Sequence, residues 1–204
     1  MTEPKPPEST NTNVSWKDTF LLEHPLSRLP NDEVRGAFSV ILENGQGVRD
    51  YYSARYDKDG KEVGIPDEKF DVGIGKDQLG DSPRKQLIHE IGNTRLRAES
   101  LRTGVLKNWR YQESHSEEFT KLSQMSRSEL IRELDASIAG LYEAAKSKEN
   151  LDRKISLPFG KETTGQISIF RAMQHKILHL GILIASSDCI GDVERPDSVK
   201  EIWG

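Results

Sequence analysis

Cysteine is nearly absent from this chain. The single residue, Cys189, excludes an internal disulfide and fits a reducing cytoplasm. It has neither a helix N-terminus nor a cationic setting to make it a reactive thiolate, and it reads as a small apolar filler near a helix end. An excess of positive charge is also missing: 29 Lys and Arg stand against 33 Asp and Glu, a net charge of −4. No basic stripe interleaves with aromatics, so nucleic acid is not an expected partner. Nor is there a long apolar run. The most apolar stretch, residues 177 to 185, is interrupted by His179 and Gly181 and falls well short of the roughly 18 residues a membrane helix needs. The polar N-terminus lacks the apolar or Arg-rich pattern of a targeting segment, so a cytoplasmic, membrane-free protein is expected. A serine hydrolase is unsupported without a Gly-x-Ser-x-Gly elbow, and Gly73-x-Gly75 is too short for a dinucleotide fingerprint.

What is present is helical periodicity. The 204 residues suit one domain; we read residues 1–15 as a disordered polar leader and 16–204 as the domain. The first helix is expected over residues 32 to 56, carrying Val34, Phe38, Ile41, Val48 and Tyr52, with a kink or early stop risked at Gly45 and Gly47. Residues 57 to 81, rich in glycine, make an ordered but irregular connection long enough to roof a pocket. Ser82-Pro83 opens the second helix, which runs to about Gly104 and holds His89. Ser126-Arg-Ser-Glu129 has the form of a capping box, and Leu130, Leu134, Ile138 and Leu141 carry the third helix to about Lys148. Residues 150 to 165 suggest an extended segment tucked against the bundle. The fourth helix then starts near Thr164 and runs through Ile167, Phe170, Met173, Ile177 and Leu178 to about Ser187, leaving a tail expected to pack back through Trp203. The pattern predicts an all-α four-helix bundle with long connections and an extended N-terminal leader.

Two histidines stand out on the fourth helix. His175 and His179 are four residues apart, so both imidazoles leave one face with Cβ atoms about 5–6 Å from each other. On an otherwise apolar helix they need partners. A divalent ion would satisfy both, whereas the bland alternative leaves them half-buried or bonded to carboxylates. Spacing alone does not choose a third ligand among His89, His24 and His115. His24 precedes Pro25 and His115 lies between Glu113 and Glu117, so both are expected to face water; only His89 shares an apolar helical setting with the pair.

Several segments taken together resemble a known family. Phe70-Asp71 before the Gly-rich linker, Leu87-Ile-His-Glu-Ile91 within residues 83 to 99, Leu157-Pro-Phe-Gly160, Thr164-Gly165 and Met173-Gln-His-Lys-Ile-Leu-His-Leu-Gly181 are similar, in order and spacing, to the DinB/YfiT-like metalloenzymes. The likeness covers about residues 32 to 204. It implies an up-down-down-up four-helix bundle, usually homodimeric, in which His89, His175 and His179 hold nickel or zinc. It also implies a thiol-dependent S-transferase or isomerase that uses a low-molecular-weight thiol as cosubstrate for a small-molecule substrate. A metal-binding interaction or stability protein without turnover, and a metal-assisted hydrolase, are the alternatives. Asn93, one turn beyond His89, and Ser168 and Arg171, before His175, would line the open face for substrate. Arg171 could hold a carboxylate there, an ordinary surface arginine being the simpler reading. Where family members often follow the second histidine with Arg-Gly-Gln, this chain has Leu180-Gly181-Ile182.

Overall fold

The computed structural model describes residues 15–53, 55–56, 62–73, 82–107, 116–190 and 193–203, with the side chains of residues 55, 56, 62, 186–190, 202 and 203 left aside. The helices among them are α1 (Trp16–Glu23), α2 (Asp32–Tyr52), α3 (Pro83–Thr103), α4 (Glu117–Ser123), α5 (Arg127–Ala145), α6 (Lys148–Asp152), α7 (Gly165–Ile190) and α8 (Asp197–Trp203). Their starts follow from local chemistry. Ser15, Ser82, Ser116, Ser126 and Ser147 each turn a side-chain oxygen onto the backbone N–H three residues on, and Asn31 does the same for Val34 at 2.9 Å. Ser126 and Glu129 complete the expected capping box. Helix α3 stops at Gly104, whose φ of 78° belongs to the left-handed region.

Four long helices form the bundle, and cross-contacts fix their directions. Asn31 meets Gln166 and Gly47 meets Leu180, so α2 and α7 run parallel. Arg49 pairs with Asp135 while Phe38 packs on Tyr142, so α2 and α5 are antiparallel. Arg84 donates to the Met125 carbonyl and Arg102 to that of Gly140, making α3 and α5 parallel. The order around the bundle is α2, α7, α3, α5, and the chain threads it up, down, down, up. The core between them holds Phe38, Ile41, Leu42, Tyr51, Leu87, Ile88, Ile91, Leu134, Ile138, Ile169 and Leu180, all buried.

Several expectations need correction. Helix α2 ends at Tyr52 instead of residue 56, because Arg55–Tyr56 pairs with Glu62–Val63 as an antiparallel ribbon, β1 with β2. Gly45 and Gly47 neither kink nor stop it. They let neighbours approach: a Cβ at Gly47 would stand 3.1 Å from Leu180 Cδ2, and one at Gly45 3.3 Å from Ile138 Cδ1. The segment before Asp32 is not an extended leader over its described length. It folds as α1 and a 3₁₀ turn at Leu26–Arg28, with Phe20 buried against Tyr142. Residues 1–14 lie outside the described residues. In the irregular connection, Ile65 and Phe70 are buried, and Phe70 is flanked by the guanidiniums of Arg84 and Arg127 at 4.8 and 4.6 Å. Residues 57–61 and 74–81 of that connection, and with them the expected roof over a pocket, lie outside the described residues. The segment after α6 is a hairpin, β3 (Lys154–Ser156) on β4 (Glu162–Thr164). Ile155 tucks into the core as expected, whereas Phe159, at the tip with φ 70°, is 92% exposed. The tail does pack back as α8, through buried Val199; the side chain of Trp203 lies outside the described residues. No helix among the described residues is long and apolar enough to cross a membrane.

Candidate metal centre

The site is built on the α3–α7 seam. Helix α7 buries only part of the stripe that periodicity suggested: Phe170 and Met173 pack against the core, but Ile167 and Leu178 are 45% and 58% exposed, and the fully inward face is Ser168, Ile169, Ala172, Lys176, His179, Leu180 and Leu183. That rotation leaves His175 at the edge of the seam and His179 just inside it. His89 arrives from α3, running the other way, and the three rings meet. Ring centroids are 5.3 Å apart for His89 and His175, 5.0 Å for His89 and His179, and 4.3 Å for His175 and His179. One nitrogen from each ring lies within 4.8 Å of the others, and the Nε2 atoms of His89 and His175 are 3.3 Å apart.

These distances test whether the residues fit an ion. Ligand bonds of about 2.1 Å at a tetrahedral angle put donor nitrogens about 3.4 Å apart, close to the 3.3 Å between His89 and His175. The electrostatics fit as well. His175 is held strongly toward the neutral form, first by burial and then by the neighbouring His179, His89, Arg97 and Lys176. Neutral imidazoles are what a cation binds, so the triad could hold a metal ion.

Immediately behind the triad, each of two ligand positions has a charged neighbour in sequence that faces the core. Glu90 follows His89, Lys176 follows His175, and the two form an ion pair at 3.0 Å with side chains 1% and 3% exposed. Arg49 and Asp135 pair at 3.4 Å, and the charge of Lys176 reaches Asp135. Each of the four bundle helices thus contributes one charge to a polar layer. Burial pushes the Asp135 carboxyl and the Tyr52 hydroxyl up; Arg49 opposes the first, and Glu90 adds to the second.

The expected lining residues fare differently. Asn93 accepts a hydrogen bond from Arg97 Nε at 2.8 Å. Ser168 is 1% exposed, and its Oγ has no hydrogen-bond partner among the described residues. Arg171 is exposed and forms no ion pair among the described residues; its charge, after burial, lowers the pKa of Arg97 to about 10. Sequence reasoning missed Arg97, Glu90 and Lys176. For the last two the signal was present, as oppositely charged residues beside histidines on otherwise apolar helices. His24 is not the water-facing residue expected: it packs between Phe20 and Tyr142 and lies 3.4 Å from Glu143. His115 lies outside the described residues, as does the side chain of Cys189. No family model matches this chain, and neither a curated protein nor a solved structure does.

Proposed function

We propose that the protein is a metal-dependent enzyme of the DinB/YfiT-like kind, in which His89, His175 and His179 hold zinc or nickel and a low-molecular-weight thiol is the cosubstrate for S-transfer or isomerisation. One observation carries this reading: three imidazoles from helices far apart in the chain converge within 4.8 Å. A bound divalent ion supplies an acidified thiol or water, a nucleophile near neutral pH. Three protein ligands leave coordination positions open, the pattern of a catalytic rather than a structural site.

The chain's own groups do the rest. The ion pair of Glu90 and Lys176 ties α3 to α7 one residue from His89 and His175, so it fixes the register in which the rings meet. Asn93 holds Arg97, and Ser168 and Arg171 belong to the same stretch of seam, where they orient a small-molecule substrate. We place the enzyme in the cytoplasm as a homodimer, an assembly that sedimentation would check.

Metal analysis of untagged protein tests the ligand set. About one zinc or nickel per chain is expected, falling to background in His175→Ala; near-stoichiometric metal in both proteins discards the assignment. Turnover is tested by incubating loaded protein with a panel of thiols and an electrophile such as chlorodinitrobenzene or a bimane. Thiol consumption above the blank is expected, and its absence for every pairing leaves a metal-binding protein without turnover.

A further inference from the structure

Beside the triad the seam carries two arginines, Arg97 and Arg171, that form no ion pair among the described residues. Arg97 lies on α3 two turns beyond His89, and side chains on a helix lean toward its N-terminus. Arg97 does so: its Nε donates to Asn93, one turn from His89, so the guanidinium is drawn back toward the rings. A turn of four residues is about 6 Å of rise, which separates the Asn93 anchor from His89 by the length of a small molecule.

The state of that guanidinium is unusual. Its Nη1 is buried and has no hydrogen-bond partner among the described residues, while its Nε is held by Asn93. The charge acting on it is another cation, Arg171 of α7, and burial and this like charge together bring its pKa down to about 10. Two other arginines on α3 are matched by carboxylates, Arg84 with Asp71 and Arg95 with Glu118 and Glu133, and Arg102 donates to the Gly140 carbonyl. A half-buried guanidinium whose Nη1 is out of water, with a second cation in its field, is costly unless an anion completes the pair. The buried Ser168 Oγ, on the His175 face of α7 two turns earlier, adds a polar group without a partner.

We propose that Arg97 and Arg171 form a carboxylate-binding subsite beside the histidine triad, so that the ligand taken there is a small molecule bearing a carboxylate. The planar guanidinium fork suits a two-oxygen planar group. Asn93 fixes the plane of Arg97, while exposed Arg171 closes the subsite from the rim. The proposal rests on the metal reading only in taking the carboxylate for one end of a ligand whose other end meets the ion.

Titration calorimetry on full-length, chelator-treated protein tests it without turnover, using succinate, its neutral diamide and inorganic phosphate as probes. Succinate is expected to bind at least tenfold tighter than either of the others. Arg97→Gln should weaken it tenfold or more, Arg171→Gln several-fold, and Arg97→Lys to an intermediate degree; Arg132→Gln on the exposed face of α5 should change nothing. Because Arg171 is exposed, its variant reads the subsite in an intact fold. Equal binding of succinate and the diamide, tighter binding of phosphate, or wild-type affinity in Arg97→Gln and Arg171→Gln overturns the proposal. Succinate binding in a protein that takes up no metal supports the subsite and counts against the metal reading alone.

Discussion

At the scale of single residues, the most consequential feature is a pair of opposite charges in the core, next in sequence to two of the three imidazoles. Glu90 and Lys176 are almost fully buried and 3.0 Å apart. Removing one partner leaves the other charged and dry, which costs about 3–5 kcal/mol, whereas replacing both with apolar residues of similar size is often near neutral. Urea unfolding should therefore show Lys176→Met as severely destabilised and Glu90→Leu/Lys176→Met as largely restored. If the double variant is as weak as the single one, the pair is not acting as a unit. His175 gives a pH dependence whose sign is fixed by its burial. Its folded pKa lies below the ordinary value of 6.5, so below about that pH the unfolded chain binds more protons than the folded one. Stability of metal-free protein is thus complete above that value and lost as pH falls, with a slope of up to about 1.4 kcal/mol per pH unit from this group. Denaturation midpoints between about pH 7 and pH 5 should fall less in His175→Ala than in the parent; equal slopes would assign the dependence elsewhere. The histidine pair was legible because helical spacing alone puts both rings on one face. Glu90, Lys176 and Arg97 were not, since a charge on an amphipathic helix reads as solvated until the rotation of that helix is known.

At the scale of elements, legibility tracked whether the signal was local. Helix α5 was readable from its capping box and stripe, and α3 from Ser82-Pro83 and Gly104, because those residues act on neighbouring backbone. The end of α2 was not, since a strand partner six residues later decides it. Helix α7 was found, but its buried face was only partly legible: Phe170 and Met173 of the stripe do pack on the core, whereas Ile167 and Leu178 suited it by spacing alone, and packing against α2 and α3 turned Ser168, Lys176 and Leu180 inward. Glycines divide along the same line. Gly140 in α5 has nothing within 4 Å of where a Cβ would sit, so Gly140→Ala should stabilise by about 0.4–1 kcal/mol through the unfolded state. Gly165 opens α7 hard against the Asn150 carbonyl, and an added Cβ runs into that backbone. Gly165→Ala should destabilise in the same urea assay, and a stabilised variant would show that the α6–α7 approach is looser than described.

At the scale of the whole molecule, the up-down-down-up path explains how residues 86 positions apart come to share a site. Two parallel pairs, α2 with α7 and α3 with α5, pack against each other so that α3 and α7 are antiparallel neighbours, and this seam brings His89 to His175. The order of segments, set beside the DinB/YfiT-like pattern, was enough to expect that path, because each long helix announced itself separately. Less was legible elsewhere: the folded segment before Asp32 and the β1–β2 ribbon were not expected, and the packing of residues 150 to 165 and of the tail was expected without their hairpin and helix, because these depend on contacts with a bundle that must already exist. The seam would also make ion binding and folding one linked equilibrium. The three nitrogens are held within 4.8 Å only while α3 and α7 are packed, so an ion that binds the folded state draws the equilibrium toward it. With free metal at about 100 times its dissociation constant the gain is about 2.7 kcal/mol, or roughly 5–11 °C in a domain of this size. Zinc or nickel added to chelator-treated protein should raise the melting temperature by that order, and hydrogen exchange should slow in α3 and α7 together. His89→Ala and His175→Ala should each abolish the shift although the substitutions lie on different helices. A rise that survives either one would mean that the cation is bound elsewhere on the chain, and that the meeting of the three rings is a packing feature of the seam.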